Sequence, residues 1–139
     1  DGIIEDTPQT DLDRNTVFHS VLLVDDEESI RIATQLVLEQ EGFTVDSASD
    51  GQEALNLFNA NPGKYDLIVT DQSMPRVSGL ELTQEIRKSN ATLSILLSTG
   101  HLGSQDTQEF KDAGITGFIQ KPWTAKELIA RIQDLDENT

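Results

Sequence analysis

The chain has 139 residues, 36% of them hydrophobic, with 10 Lys and Arg against 25 Asp and Glu for a net charge of -15. That length and apolar content suit one domain with one core, and the acidic balance disfavours sequence-independent attraction to nucleic acid or to an anionic membrane. Cysteine is absent, which removes disulfides, thiolate nucleophiles and Cys-based metal sites, and no apolar run approaches the roughly 18 residues of a membrane span.

Residues 1 to 18 carry Asp1, Glu5, Asp6, Asp11 and Asp13 against Arg14, with almost no apolar periodicity, and read as an acidic linker or disordered tail. A folded domain is expected over 19–136. Short apolar runs then alternate with amphipathic segments: a strand near 20–25, a helix near 28–41, a strand near 43–47, a helix near 51–60 and a strand near 66–70. A helix near 79–89, a strand near 93–98, a helix near 104–113, a strand near 117–120 and a helix near 124–135 complete the pattern. Gly42, Asn61-Pro62-Gly63, Ser89-Asn90 and Gly114 punctuate the helix ends. Along the first helix, Ala33, Val37 and Leu38 form the stripe expected to face the sheet, with Ile32 and Leu36 on roughly the opposite side.

Strands apolar on both sides imply a parallel sheet covered by helices on both faces, a doubly wound α/β sandwich. Such sheets bind ligands at the carboxyl ends of their strands, where strand order reverses. The order 2-1-3-4-5 puts strands 1 and 3 side by side at that reversal. Asp25 and Asp26 follow the first strand, Asp71 the third, Thr99 the fourth and Lys121 the fifth, so all converge on one sheet edge.

Taken singly, each has an ordinary explanation. Acids ahead of a helix satisfy free N–H groups and the helix dipole, Asp71 suits a turn before Pro75, and Lys121 suits a solvated position before Pro122. Their joint placement is what those explanations leave over. Converging carboxylates repel one another unless a hard cation is present, and oxygen-only ligands point to Mg²⁺. In the functional reading Asp71 is a nucleophile that accepts a phosphoryl group, Asp26 and Asp71 hold Mg²⁺, and Asp25 assists through water or as a second ligand. Lys121 pairs with one phosphoryl oxygen and the Thr99 hydroxyl with another, Gly100 leaves room for the phosphate, and the backbone N–H groups of Gln72 and Gly100 are expected as further donors.

From about Val21 to Leu135 the chain resembles a response-regulator receiver domain of two-component signalling. The resemblance rests on Asp25-Asp26, on Asp71 followed by Met74-Pro75 and Gly79, on Thr99-Gly100, and on Lys121-Pro122, all in order on a βα pattern. It implies a flavodoxin-like (βα)5 fold with a five-stranded parallel sheet, and Mg²⁺-dependent transfer from a phosphohistidine to Asp71. It further implies that Ser73 gives its backbone carbonyl to the metal. Phe118 would be a switch aromatic that turns inward when Thr99 moves, reshaping the surface of helix 4, strand 5 and helix 5; the alternative is a permanently buried strand aromatic. Ser73 and His101 stand at positions that tune the phosphoryl lifetime, although His101 also suits an inert loop. The implied partner is a histidine kinase or histidine phosphotransfer domain, docking beside Ile30, Ile32 and Leu36.

The acidic stretch, the Thr-Gly-His run and the short tail after the last helix resemble receivers attached to hybrid sensor histidine kinases, while a stand-alone receiver or one from a transcription regulator fits nearly as well. The start at Asp1 reads as a fragment. The expected location is cytoplasmic without direct membrane contact, whether or not a parent chain is membrane-attached. The domain would catalyse its own phosphorylation and dephosphorylation without turning over a separate substrate. A Mg²⁺-dependent aspartate-nucleophile phosphatase is the remote alternative, and it needs a second Asp two residues after Asp71 where Ser73 stands. A flavin module of similar fold would place its phosphate against repelling acids.

Overall fold

The computed structural model describes residues 18–100 and 103–138. Five β-α units follow one another: β1 (Ser20–Val24), α1 (Glu28–Gln40), β2 (Thr44–Ala48), α2 (Gly51–Ala60), β3 (Leu67–Asp71), α3 (Gly79–Arg87), β4 (Ser94–Thr99), α4 (Ser104–Ala113), β5 (Gly117–Gln120) and α5 (Ala125–Glu137). All strand pairs are parallel and the order is β2-β1-β3-β4-β5, the doubly wound order expected.

Alternation along the strands divides the core into two layers. Leu22, Val24, Ile68, Ile95 and Leu97 pack with Ala54 and Phe58 of α2, Leu82 and Ile86 of α3 and Phe110 of α4. Val21, Leu23, Leu67, Val69, Leu96 and Ile119 face the other way, against Leu38 of α1 and Leu128 and Ile132 of α5. The largest of these side chains are withdrawn almost completely from water, and each contributes about 1.5–3 kcal/mol relative to exposure. Local signals agree with the tertiary frame. Ser78 with Glu81, and Thr124 with Glu127, form capping boxes that start α3 and α5, and Asp50 accepts the Glu53 N–H at the start of α2. Gly114 ends α4 in the left-handed region at φ 103.

Several boundaries differ from the sequence reading. β3 runs through Asp71 and β4 through Thr99, because Gln72 N–H donates to Ser98 O and extends the ladder. That bond also removes the Gln72 N–H from the donors expected for an anion. In α1 the buried line is Thr34 and Leu38, with Val37 half-buried and Ala33 exposed, so Ala33 does not face the sheet as expected. The helix is turned so that a polar residue takes the inward position, which a count of apolar residues passes over. Phe18, placed at the edge of the linker, is buried, and its N–H donates to Asp136 Oδ2 at 3.2 Å. The acidic stretch before it lies outside the described residues. No helix among the described residues is long and apolar enough to cross a membrane.

Candidate functional site

The carboxyl edge of the sheet collects the singled-out residues. β1 pairs with β3 in a register that sets Val24 opposite Thr70, which brings Asp25 and Asp26 beside Asp71. Oxygens of the three carboxylates lie within 4.8 Å of one another; Asp25 and Asp71 are buried and Asp26 is exposed. From β5, Lys121 Nζ reaches to 3.0 Å from Asp71 Oδ1. Its own N–H donates to Thr99 O at 2.8 Å, tying the ends of β4 and β5 together. Thr99 is buried, and a Cβ at Gly100 would meet nothing within 4 Å among the described residues.

Backbone and side-chain bonds fix the first acidic loop. Asp25 Oδ1 accepts the Glu27 N–H at 2.9 Å, Asp25 N–H donates to Ala48 O at 3.2 Å, and Arg31 Nη1 donates to Asp25 O at 2.8 Å. Burial raises the pKa of Asp25 above its ordinary value, and the nearby charges of Asp71 and Asp26 push the same way; the Glu27 N–H and Lys121 oppose them. An oxygen-only set of crowded carboxylates, one of them reluctant to ionise, suits a hard divalent cation such as Mg²⁺ and offers nothing to a softer metal.

The β3–α3 loop is held as firmly. Gln72 Oε1 accepts the Leu80 N–H at 2.8 Å and Gln72 O accepts the Gly79 N–H at 3.1 Å. α3 presses so closely on the end of β3 that a Cβ on Gly79 would stand 2.6 Å from Asp71 O and 2.5 Å from Leu97 Cδ1. Ser73 is exposed beside Asp71. Arg76 takes a left-handed φ of 71 and its guanidinium pairs with Asp50 at the start of α2. The Lys121-Pro122 peptide is cis.

Farther from the acids, Phe118 is half-buried with its ring centroid 5.9 Å from that of Phe110. Ile32 and Leu36 are 51% and 55% exposed, the two large apolar side chains left to solvent among the described residues. Ile30 lies in a groove of about 390 Å³ with Ala33, Lys121, Pro122 and Trp123. His101 lies outside the described residues. Two features escaped the sequence reading. Arg31, one helical turn into α1, anchors the acidic loop. Trp123 Nε1–H donates to Ser98 Oγ at 2.9 Å, a pairing that no spacing announces.

Comparison with known proteins gives this arrangement a family. Residues 21–133 match the model for the response regulator receiver domain, and the chain belongs to that family, whose members are signalling domains of two-component systems. The alkaline phosphatase synthesis transcriptional regulatory protein SphR of Synechococcus elongatus is 36% identical over 126 residues, which cover 83% of this chain and 48% of SphR. The sensor kinase CckA of Brucella abortus is 30% identical over 118 residues, 85% of this chain and 12% of the kinase. The chain thus spans about half the length of the curated regulators it matches. Among solved structures, the chemotaxis protein CheY4 of Vibrio cholerae is 31% identical, with 86% of this chain and 99% of that one covered at a TM-score of 0.80. The non-phosphorylated HemR receiver domain of Leptospira biflexa is likewise 31% identical, with 87% and 96% covered at a TM-score of 0.80.

Proposed function

We propose that this receiver takes a phosphoryl group from a phosphohistidine of a histidine kinase or histidine phosphotransfer domain onto Asp71. The observation that carries the reading is the constellation itself: a buried Asp71 whose carboxylate shares a 4.8 Å cluster with two further acids and stands 3.0 Å from one lysine. An Asp71 oxygen attacks phosphorus, a P–O bond forms, the P–N bond breaks, and the imidazole nitrogen leaves with the bonding pair. Lys121 exchanges its Asp71 contact for a phosphoryl oxygen, and the Thr99 hydroxyl donates to another. Asp25, Asp26, Asp71 and the Ser73 carbonyl would hold Mg²⁺. When bound, Mg²⁺ offsets negative charge between the acids and the transferring oxygens.

Loss of the phosphoryl group follows by attack of water on phosphorus, returning the Asp71 carboxylate and free phosphate, with Ser73 and His101 setting its lifetime. Thr99 drawn toward the phosphate vacates space for Phe118 to turn inward, which changes the face made by α4, β5 and α5. Ile30, Ile32 and Leu36 form the docking side for the phosphodonor. The receiver belongs to a hybrid histidine kinase, as the name of CckA suggests; the alternatives are a transcriptional regulator, as that of SphR suggests, and a stand-alone receiver.

Incubation with Mg²⁺ and acetyl phosphate is expected to add one phosphoryl group by intact mass. Asp71→Asn is expected to abolish the addition. Undiminished labelling of the Asn variant would sink the assignment.

A further inference from the structure

The end of β4 presents two neighbouring hydroxyls to opposite faces of the sheet. Thr99 follows the face on which Leu97 and Phe118 pack, and Ser98 follows Leu96 toward α1 and α5. Ser98 is buried, lies opposite Asp71 in the β3–β4 register, and its carbonyl accepts the Gln72 N–H at 2.9 Å. It is therefore bonded to the acceptor strand through its backbone and to Trp123 through its side chain, at 2.9 Å from the indole nitrogen.

Trp123 in turn is half-buried against the α1–α5 core layer and forms a wall of the groove that holds Ile30, Ala33 and Lys121. Lys121, two residues earlier, is bonded to both Asp71 and Thr99 O. A movement of the β4 end that accommodates a group on Asp71 thus strains one directional hydrogen bond whose donor is the groove wall.

We infer that Trp123 is a positioning residue that couples occupation of Asp71, through Ser98, to the α1–α5 groove. It serves as a second readout on the sheet face opposite Phe118. The inference rests on the proposed role of Asp71 as acceptor.

Trp123 is the one tryptophan of the chain, so its indole N–H gives a single NMR resonance. On titration of the folded protein with beryllofluoride and Mg²⁺, that resonance is expected to move with the same midpoint as the backbone amides flanking Asp71. Ser98→Ala is expected to lose most of the indole movement while Asp71 still takes a phosphoryl group from acetyl phosphate. In Trp123→Phe, which keeps an aromatic ring and removes the donor, the amides of Ile30 and Ala33 are expected to stop responding while those beside Asp71 continue.

A stationary indole in the parent protein, with the Asp71 amides shifting, overturns the coupling and leaves the acceptor reading intact. An undiminished indole response in Ser98→Ala, or undiminished Ile30 and Ala33 responses in Trp123→Phe, overturns the route through Ser98. Absence of both mimic binding and labelling overturns the acceptor reading and the coupling with it.

Discussion

Lys121 Nζ stands 3.0 Å from Asp71 Oδ1, so a cation from the last strand is paired with a carboxylate on the central strand while two further acids crowd the same space. One ammonium does not balance three carboxylates. The site is built with excess negative charge, and its responses to metal, pH and mutation follow from that imbalance.

Thr99 and Lys121 are expected to fail differently. Thr99→Ala keeps every charge and should still accept a phosphoryl group on Asp71, at a reduced rate, while the amide shifts induced by beryllofluoride in residues 103 to 120 collapse. Lys121→Ala keeps the backbone tie to β4 but removes the paired cation and with it the side-chain contact from the end of β5 to Asp71, so both labelling rate and amide response should fall. Parent-like shift changes in Thr99→Ala would show that the signal does not run through Thr99 to Phe118.

Removal of metal exposes the repulsion. Because the pKa of Asp25 is raised in the folded state, that state holds its proton more tightly than the unfolded chain, and stability declines as pH rises above the ordinary value of 3.8 through the raised one. At neutral pH the metal-free protein therefore carries a penalty that Asp25→Asn relieves. The thermal midpoint of the variant in EDTA is expected to exceed that of the parent at neutral pH, and the difference to vanish under acid conditions. Mg²⁺ at roughly tenfold excess over its dissociation constant should stabilise the parent by about 1.4 kcal/mol, and the variant by less.

Tyr65 and Asp46 give the opposite sign of pH dependence. Lys64 and the Tyr65 hydroxyl, at 2.8 and 2.7 Å from Asp46 Oδ2, lower the carboxyl's pKa. Their contribution is present above the ordinary value of 3.8 and lost as pH falls below it. Tyr65→Phe is expected to cost about 1 kcal/mol near neutral pH by urea unfolding, with the cost shrinking as Asp46 protonates.

Gly79→Ala tests the close seating of α3 on the acceptor strand. The added methyl meets Asp71 O, which is backbone and yields little, as well as the more compliant Leu97 side chain. A loss of about 1–3 kcal/mol in unfolding free energy is expected, together with slower labelling of Asp71 by acetyl phosphate. A neutral substitution on both measures would show that the loop tolerates displacement.

The fold was legible because the three central strands β1, β3 and β4 are largely apolar on both sides and helix ends such as that at Gly114 carry their own punctuation. Asp25, Asp26, Asp71 and Lys121 could be placed at one edge because strand ends converge in a parallel sheet whatever the side chains do between them. Thr34 escaped because periodicity counts apolar residues and an inward threonine is silent to it. The Ser98–Trp123 bond escaped for a different reason: it depends on which way one indole lies across a loop. Gln72 looked like a free donor because the sequence marks where a ladder begins to end but not which N–H group closes it.

Phe18 N–H meets Asp136 near the end of α5, and that helix starts beside the acids at Thr124 before running back to the opposite edge of the sheet. The polypeptide therefore passes into and out of the fold at adjoining ports, both on the pole away from Asp71. Whatever is fused before Phe18 or after Asp136 shares one side of the molecule and leaves the acidic pole open. The domain has the geometry of a cassette, able to be spliced into unlike host proteins without rebuilding its chemistry.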